Sequence, residues 1–337
     1  MKVLRMLLFP FSLLYGLVMR IRNLFYDKGW FKSTSYDMPI ICVGNLSVGG
    51  TGKSPMIEFL IETLQEDYKL ATLSRGYKRK TSGYLEVSGS STAQEVGDEP
   101  LQFKKNFPEV TVAVCADRRE GISNLKQKAE VILLDDAFQH RKVKASTNIL
   151  LTPFDDLFID DSMLPTGNLR EPKSGCKRAD IMIVTKCPER VAYAKLQEIE
   201  YRLPIADHQK LYFSRIAYDS HIYGVSEVLP LAYLLDKSFT LVTGIANPDS
   251  LVSFLKSRHF TFDHEKFPDH HDFSKAELAK LEQKELILTT QKDFMRLQGR
   301  MSKYAFYYLP IKTQILKGQE EFLKEAIHAH VARVRKG

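Results

Sequence analysis

The sequence predicts an α/β fold: a parallel sheet flanked by helices, plus a second, smaller α/β domain joined by a β-hairpin linker. Short apolar runs of strand length alternate with helical stretches along the chain. This alternation is typical of a parallel sheet covered on both faces. The 337 residues also exceed one ordinary domain. A glycine-rich loop follows the first apolar run, as at the strand-to-helix turns of open α/β sheets.

The composition fits a globular protein of a reducing compartment. Apolar residues make up 44% of the chain, and none of the four cysteines forms a C-x-x-C pair, which argues against a disulfide framework or a zinc site. The net charge of +7 indicates a phosphorylated or acidic partner, such as a nucleotide, a nucleic acid or an anionic membrane. No basic stripe is interleaved with aromatic residues, so a nucleic acid is the least favoured of the three.

Residues 1–30 predict an amphipathic, membrane-associated helix. The run from Leu7 to Met19 carries no charge, but it is too short to span a bilayer, which takes about 20 residues. Basic residues flank the run, which suits an anionic membrane surface. Packing of the apolar stripe on the protein's own core is the alternative. Apolar residues recur at helical spacing at Phe11, Leu14, Val18, Ile21 and Phe25.

The remaining chain divides into a core domain at 31–209, a linker hairpin at 210–229 and a C-terminal α/β domain at 230–337. The polar stretch Lys80–Glu99 predicts a hairpin or a loop excursion. The expected strands are Met38–Val43, Leu70–Leu73, Val110–Cys115, Val131–Leu134, Asn148–Leu151, Ile181–Thr185, Leu211–Tyr218, Phe239–Thr243, Glu285–Thr289 and Tyr304–Leu309.

The loop after the first strand predicts a phosphate-binding site. Its end matches the pattern G-x-x-x-x-G-K-[ST], with Ser47 in place of the first glycine. Backbone N–H groups of such a loop surround phosphate oxygens, while Lys53 would reach the β- and γ-phosphates and Ser54 would bind Mg²⁺. The expected nucleotide-binding residues are Ser47, Val48, Gly49, Gly50, Thr51, Gly52, Lys53 and Ser54. A P-loop NTPase core is therefore predicted.

ATP is the expected nucleotide, because the guanine-specificity pattern is incomplete at Thr185–Pro188, which lacks its aspartate.

The apolar strand at Val131–Leu134 ends in Asp135 and Asp136, an arrangement that places hard oxygen ligands for Mg²⁺ at the edge of the sheet. Aspartates are also common in turns at strand ends. A second acidic pair, at Asp98-Glu99, could equally be ordinary helix-start chemistry ahead of Pro100.

Together these motifs resemble the tetraacyldisaccharide 4′-kinase family of lipid A biosynthesis. The similar segments occur in family order over about residues 40 to 297, and Ser47 is typical of the family. Ala137-Phe138 stands where many relatives have Gly-Leu. The segments are Val43–Pro55, Ser74–Tyr77, Gly97–Pro100, Asp117–Arg119, Asp135–His140, Leu164–Glu171, Thr243–Pro248, Asp269–His271 and Thr290–Asp293.

The resemblance implies ATP-dependent phosphorylation of the 4′-hydroxyl of tetraacyldisaccharide 1-phosphate, forming lipid IVA. It implies a peripheral or monotopic protein on the cytoplasmic face of the bacterial inner membrane, which the N-terminal helix would anchor. Asp98 would be the general base and His270 its partner. The remaining implied residues are the catalytic Lys53 and Arg170, the metal-binding Ser54, Glu99, Asp135 and Asp136, and the substrate-binding Arg75, Arg119, Gln139 and His140.

Several alternatives stay open at this point. A P-loop switch or assembly ATPase acting on a protein partner would use the same phosphate loop, and the second domain would then be a platform for that partner. Arg170 could form a surface ion pair instead of holding the γ-phosphate. The segment Asp269–Asp272 could be a helix-capping loop or a metal site, although adjacent side chains rarely converge on one ion.

Overall fold

Two mostly parallel sheets with flanking helices organise the chain in the computed structural model, which describes residues 5–301 and 305–336. The strands are β1 Ile40–Asn45, β2 Leu70–Ser74, β3 Leu85–Glu86, β4 Thr111–Val114, β5 Val131–Asp135, β6 Thr147–Pro153, β7 Ile181–Thr185, β8 Lys210–Tyr218, β9 His221–Tyr223, β10 Val228–Pro230, β11 Ser238–Thr243, β12 Thr261–Lys266, β13 Ile287–Thr290, β14 Phe306–Leu309 and β15 Ile311–Ile315. The predicted α/β fold class is confirmed.

Helices pack on both faces of the sheets. They are α1 Phe9–Asp27, α2 Lys53–Leu64, α3 Ala93–Val96, α4 Asp98–Asn106, α5 Arg118–Leu125, α6 Tyr193–Arg202, α7 Asp249–Ser257, α8 Lys275–Glu282, α9 Gln291–Leu297 and α10 Glu320–Lys336. The polar stretch at Lys80–Glu99 is therefore not one loop, because it contains β3 and α3 and ends inside α4.

The first sheet has the order β15-β8-β7-β6-β1-β5-β2-β4-β3. The interior strands from β8 to β4 are parallel, and the two edge strands are antiparallel to their neighbours. Strands β1, β2, β5 and β7 are buried at every residue, because helices cover both faces of a parallel sheet. This burial explains why these strands appear in the sequence as continuous apolar runs.

The second sheet has the order β10-β9-β14-β13-β11-β12. Strands β12, β11, β13 and β14 are parallel, and the β9–β10 hairpin adds the antiparallel edge. The strand predicted at Leu211–Tyr218 is β8 of the first sheet, whereas the hairpin after it belongs to the second. The strand predicted at Tyr304–Leu309 begins at Phe306, and Tyr304 lies outside the described residues.

The C-terminal part of the chain returns to the first sheet. Strand β15 pairs with β8, and α10 contributes Leu323, Ile327 and Val331 to a buried cluster that also holds Leu60 of α2. The same cluster contains Phe294 of α9, from the unit built on the second sheet. The two sheets are therefore connected through shared apolar packing as well as through the chain.

Helix α1 presents its apolar stripe to solvent. Phe11, Leu14 and Val18 expose 62%, 61% and 54% of their surfaces, whereas Ser12 and Asn23 are buried against the protein. The exposed part of the stripe therefore does not pack on the core of the described chain. This exposure argues against the alternative that the apolar stripe of the helix packs on the protein's own core. Within residues 5–301 and 305–336, no helix combines the length and apolarity that crossing a bilayer requires.

Candidate active site

The phosphate loop connects β1 to α2 at the carboxyl edge of the first sheet. Gly52 adopts φ +91 immediately before Lys53, the first residue of the helix, and glycine tolerates this conformation at little cost. Two contacts hold the loop in place. The Thr185 hydroxyl donates to the Thr51 carbonyl (2.7 Å), and the Val48 N–H donates to the Asn168 carbonyl (2.8 Å).

Lys53, Asp136 and Arg170 form one cluster beside this loop. Arg170 donates to both carboxylate oxygens of Asp136, at 2.8 and 3.3 Å, and also to the Asn45 side chain. The Lys53 ammonium lies 3.7 Å from Asp136 and 3.4 Å from Asn45. Burial alone would raise the pKa of Asp136, but the charges of Lys53 and Arg170 outweigh it and lower the pKa. The three predicted residues are therefore brought together, and Asn45 joins them.

Asp135 lies deeper than Asp136, at the buried end of β5. Its carboxylate accepts a hydrogen bond from the Ser74 hydroxyl at 3.2 Å. Burial, followed by the negative charges of Asp136 and Glu99, raises the pKa of Asp135 to about 6. A carboxyl group held among like charges is a position where a cation would be favoured.

Asp98 begins α4 and connects the core to the second sheet. Its Oδ2 atom lies 2.9 Å from Nδ1 of His270, which follows β12. The same oxygen accepts from Nε and Nη2 of Arg296 at 2.8 and 2.5 Å. Burial would raise the pKa of Asp98, but the hydrogen bonds from His270 and Arg296 outweigh it and lower the pKa. Asp98 is therefore held as a carboxylate at neutral pH.

Glu99 pairs with a second cation from α9. Its Oε1 atom lies 2.5 Å from Nζ of Lys292. Lys292 and Arg296 are four residues apart, so the helical repeat places them on one face, from which they hold Glu99 and Asp98 respectively. Asp293, which is fully buried, accepts from the Gly244 N–H and pairs with Arg296, thereby fixing the start of the helix.

The residues predicted to bind substrate lie in different settings. Arg119 pairs with Asp117 at 2.7 Å. His140 lies 4.0 Å from Asp117, and burial, followed by the charge of Arg118, lowers its pKa to about 4. The amide nitrogen of Gln139 donates to the Asn45 carbonyl and to Glu171, at 2.8 Å in each case.

Arg75 is exposed immediately after β2, and within the part of the chain that the structure describes it makes no hydrogen bond or ion pair. It is therefore not paired with Asp117, near which Arg119 and His140 both lie. The substrate-binding roles of these residues stay predictions.

Helix α1 is connected to the loop that carries Arg170. The Tyr15 hydroxyl donates to the Arg170 carbonyl at 2.8 Å. The Asn23 amide donates to the buried Glu171 at 3.3 Å, and Glu171 is paired with Arg178 at 2.8 Å. The polar face of the helix therefore contacts the active-site loop directly, while the apolar face remains exposed.

The comparison with known proteins assigns the family. The model of the tetraacyldisaccharide-1-P 4′-kinase family matches residues 4–332. The chain is 49% identical over 328 residues to a tetraacyldisaccharide 4′-kinase of Flavobacterium johnsoniae, covering 96% of each sequence. It is 41% identical over 351 residues to the Bacteroides thetaiotaomicron kinase, covering 96% of the chain and 92% of the relative. The chain belongs to the tetraacyldisaccharide 4′-kinase family.

A solved structure agrees with this assignment. The Aquifex aeolicus member, crystallised in complex with ATP, superposes with a TM-score of 0.80 at 34% identity, covering 97% of this chain and 99% of that one. The family predicted from the motifs is confirmed, as is the expectation of a kinase. The alternative of a switch or assembly ATPase is not favoured by any of these matches.

Sequence reasoning missed four residues of the site. Asn45 and Glu171 lie in segments similar to the family, but no role was assigned to them. Lys292 lay in a segment similar to the family, yet no partner for it could be inferred. The sequence offered one indication for Lys292 and Arg296, namely their helical spacing. Two cations four residues apart on a helix share a face and can therefore contact the same site.

Proposed function

We propose that the chain transfers the γ-phosphoryl group of ATP to the 4′-hydroxyl of a tetraacylated glucosamine disaccharide 1-phosphate, the acceptor class of its family. The observation that best supports this is the pairing of Asp98 with His270 at 2.9 Å. It sets a carboxylate, held by groups from the second sheet, at the same edge of the core as the phosphate loop. A sugar hydroxyl requires such a base, which typically contributes about 10²–10⁴-fold.

Asp98 would accept the proton of the 4′-hydroxyl as its oxygen attacks the γ-phosphorus. The bond between that phosphorus and the β–γ bridging oxygen then breaks, and ADP leaves. All three hydrogen bonds from His270 and Arg296 reach Oδ2 of Asp98, so we assign Oδ1 to the incoming proton. The two partners orient the carboxylate and keep it ionised until the proton arrives, as the partners of a general base do in catalytic triads.

Lys53 and Arg170 would hold the γ-phosphoryl oxygens. In this structure both cations surround Asp136, beside the phosphate loop. Arginine's planar fork suits a bidentate grip on phosphate. With ATP bound, these cations would contact both Asp136 and the triphosphate. Alignment of the γ-phosphoryl group with the attacking hydroxyl would supply much of the rate acceleration.

The donor set fits Mg²⁺. Within the described ranges, no three His, Cys, Asp or Glu side chains form a ready metal cluster. Mg²⁺ characteristically uses one or two carboxylates and takes its other ligands from phosphates and water. Ser54 and Asp135 would hold the ion, with Asp136 and Glu99 beside them, because the negative charges of Asp136 and Glu99 around Asp135 favour a cation there. When bound, Mg²⁺ would neutralise charge on the phosphates.

We further propose that α1 docks on the cytoplasmic face of the inner membrane, where an acylated substrate resides. Support comes from the exposed apolar stripe and from the flanking basic residues, which attract anionic lipid by about 1 kcal/mol each. Trp30, after the helix, is 68% exposed and suits the interface. Since Tyr15 contacts the Arg170 carbonyl, docking would bring the lipid surface next to the catalytic loop.

The test is transfer of labelled γ-phosphate from ATP to tetraacyldisaccharide 1-phosphate in mixed micelles, with and without Mg²⁺. We expect Mg²⁺-dependent labelling of the lipid by the wild-type chain. Asp98→Asn should retain ATP binding and lose labelling, whereas Asp67→Asn, at an exposed site beyond the far end of α2 from the phosphate loop, should retain both. Labelling by Asp98→Asn at the wild-type rate would remove Asp98 from the base role. No labelling by the wild type would contradict the proposed reaction.

A further inference from the structure

Lys186 places an ammonium group beside the phosphate loop. The residue follows β7 directly, and an ideal Cβ atom built on Gly50 would lie 3.8 Å from its Nζ atom. Gly50 belongs to the stretch whose backbone N–H groups surround phosphate oxygens in such loops. The preceding residue, Thr185, is the one that fixes the loop through the Thr51 carbonyl. The end of β7 therefore fixes the phosphate loop through Thr185 and places Lys186 beside that loop.

The ammonium group of Lys186 has no partner among the protein residues that the structure describes. No carboxylate or carbonyl among residues 5–301 and 305–336 accepts a hydrogen bond from it or forms an ion pair with it. Its neighbours in the site differ in this respect. Lys53 lies near Asp136, and Lys292 is held by Glu99. An unpaired cation at an anion-binding loop is arranged to meet a ligand rather than the protein.

The surroundings of Lys186 already disfavour its charge. Partial desolvation, followed by the positive charges of Lys292 and Lys53, lowers the pKa of its ammonium group. Three lysines around one loop repel one another, and a polyanion among them would remove that repulsion. The electrostatics therefore favour a bound triphosphate.

The backbone of Lys186 supports the same interpretation. Its φ is +58, in the left-handed region that residues other than glycine rarely adopt. Such conformations persist where neighbouring structure fixes them, often at ligand sites. Here Thr185 is held through Thr51, and the Cys187 N–H donates to the Ser214 carbonyl at 2.9 Å.

We propose that Lys186 contacts the phosphate chain of the nucleotide, as a second lysine of the ATP site beside Lys53. This inference rests on the proposed function in one respect, namely that ATP is the nucleotide bound. Lys53 would hold the β- and γ-phosphates from the phosphate loop itself. Lys186 would contact the same phosphate chain from the end of β7. Loss of its charge should therefore weaken the binding of polyphosphates more than that of a monophosphate.

The experiment measures the Kd of ATP, ADP and AMP for the full chain by calorimetry. The variants are Lys186→Met, which keeps the aliphatic stem, and Lys186→Arg, which keeps the charge. Lys317→Met is the matched control, because Lys317 has the same backbone conformation (φ +59) but lies 3.6 Å from Glu200, a protein anion. Thermal melting verifies that each variant is folded.

We expect Lys186→Met to raise the Kd of ATP about tenfold, the value of one charge-assisted contact. The effect should be smaller for AMP, and both Lys186→Arg and the control should stay within about threefold of wild type. An ATP Kd within about twofold of wild type for Lys186→Met would overturn the inference. A wild-type chain that binds no ATP would overturn both the inference and the proposed function. The expected order of Kd values without any labelling of the lipid would support Lys186 and contradict the proposed acceptor.

Discussion

Replacement of Arg296 by glutamine tests how Asp98 is kept ready to accept a proton. Arg296 donates twice to Oδ2 of Asp98, at 2.8 and 2.5 Å, and both side chains are largely buried, with exposures of 8% and 12%. Two unit charges about 4 Å apart attract by about 4 kcal/mol at an effective dielectric constant of about 20. That energy corresponds to about 3 pKa units. Loss of this attraction should raise the pKa of Asp98, while the hydrogen bond from His270 continues to lower it.

The assay is the pH dependence of kcat for transfer to the lipid. A base must be deprotonated to act, so the acid limb of the profile should move to higher pH. Activity should recover at alkaline pH, and Arg296→Lys should restore most of the wild-type profile. Asp293 loses one partner in Arg296→Gln but keeps the Gly244 N–H and the Thr290 hydroxyl, so the variant should fold.

Arg300→Gln is the control, because Arg300 pairs with the exposed Asp272 at 3.0 Å and lies four residues further along the chain. Its acid limb should coincide with that of wild type. An acid limb that does not move in a folded Arg296→Gln variant would refute the role given to Arg296. It would also mean that the low pKa of Asp98 depends on His270 alone.

Three further predictions concern the loop, the buried acid of α2 and the helix at the surface. Lys53→Ala should lower transfer more than about 100-fold and weaken ATP binding, and a normal Kd of ATP would contradict its contact with phosphate. Burial raises the pKa of Glu58 to about 7 despite hydrogen bonds from Gln102 and Asn106, so stability is lost as pH rises from about 4.5 to 7. Glu58→Gln should then raise the free energy of unfolding, measured in urea, by up to about 3 kcal/mol at pH 8 and by little at pH 5. An equal increase at both pH values would mean that the burial of the Glu58 charge is not the cause. Leu14→Glu, at an exposed site, should abolish co-sedimentation with anionic vesicles without lowering ATP binding, and unchanged sedimentation would argue against docking through α1.

Elements with continuous apolar patterns were the predictable part of the fold. The strand at Ile181–Thr185 has the bounds that were predicted, because burial on both faces requires apolar side chains at every position. Strands β12 and β15 were missed. Both strands lie at sheet edges, where β12 has no buried residue and β15 has one, so their sequences, such as TFDHEK in β12, contain no apolar run. Edge strands depend on the neighbour they pair with more than on their own composition.

The candidate site likewise contains residues that the local sequence predicts and residues that it does not. The phosphate loop and Asp135-Asp136 depend on local chemistry, since a strand end and a helix start lie within a few residues of each other. Arg296 was missed because its contact with Asp98 joins residues 198 positions apart. Which acid a cation on α9 meets is decided by how the second sheet packs on the first, through buried residues such as Phe294. Local sequence patterns carry little information about such a contact.

The position of the new phosphate on the lipid is the most direct test of the proposed reaction. The wild-type chain would be incubated with ATP, Mg²⁺ and tetraacyldisaccharide 1-phosphate, and the product analysed by phosphorus NMR and tandem mass spectrometry. We predict one added phosphate, on the 4′-oxygen, with ADP formed in equal amount and no such product from Asp98→Asn. Consumption of ATP with no phosphate on the lipid, or with a phosphate on another hydroxyl, would contradict the account.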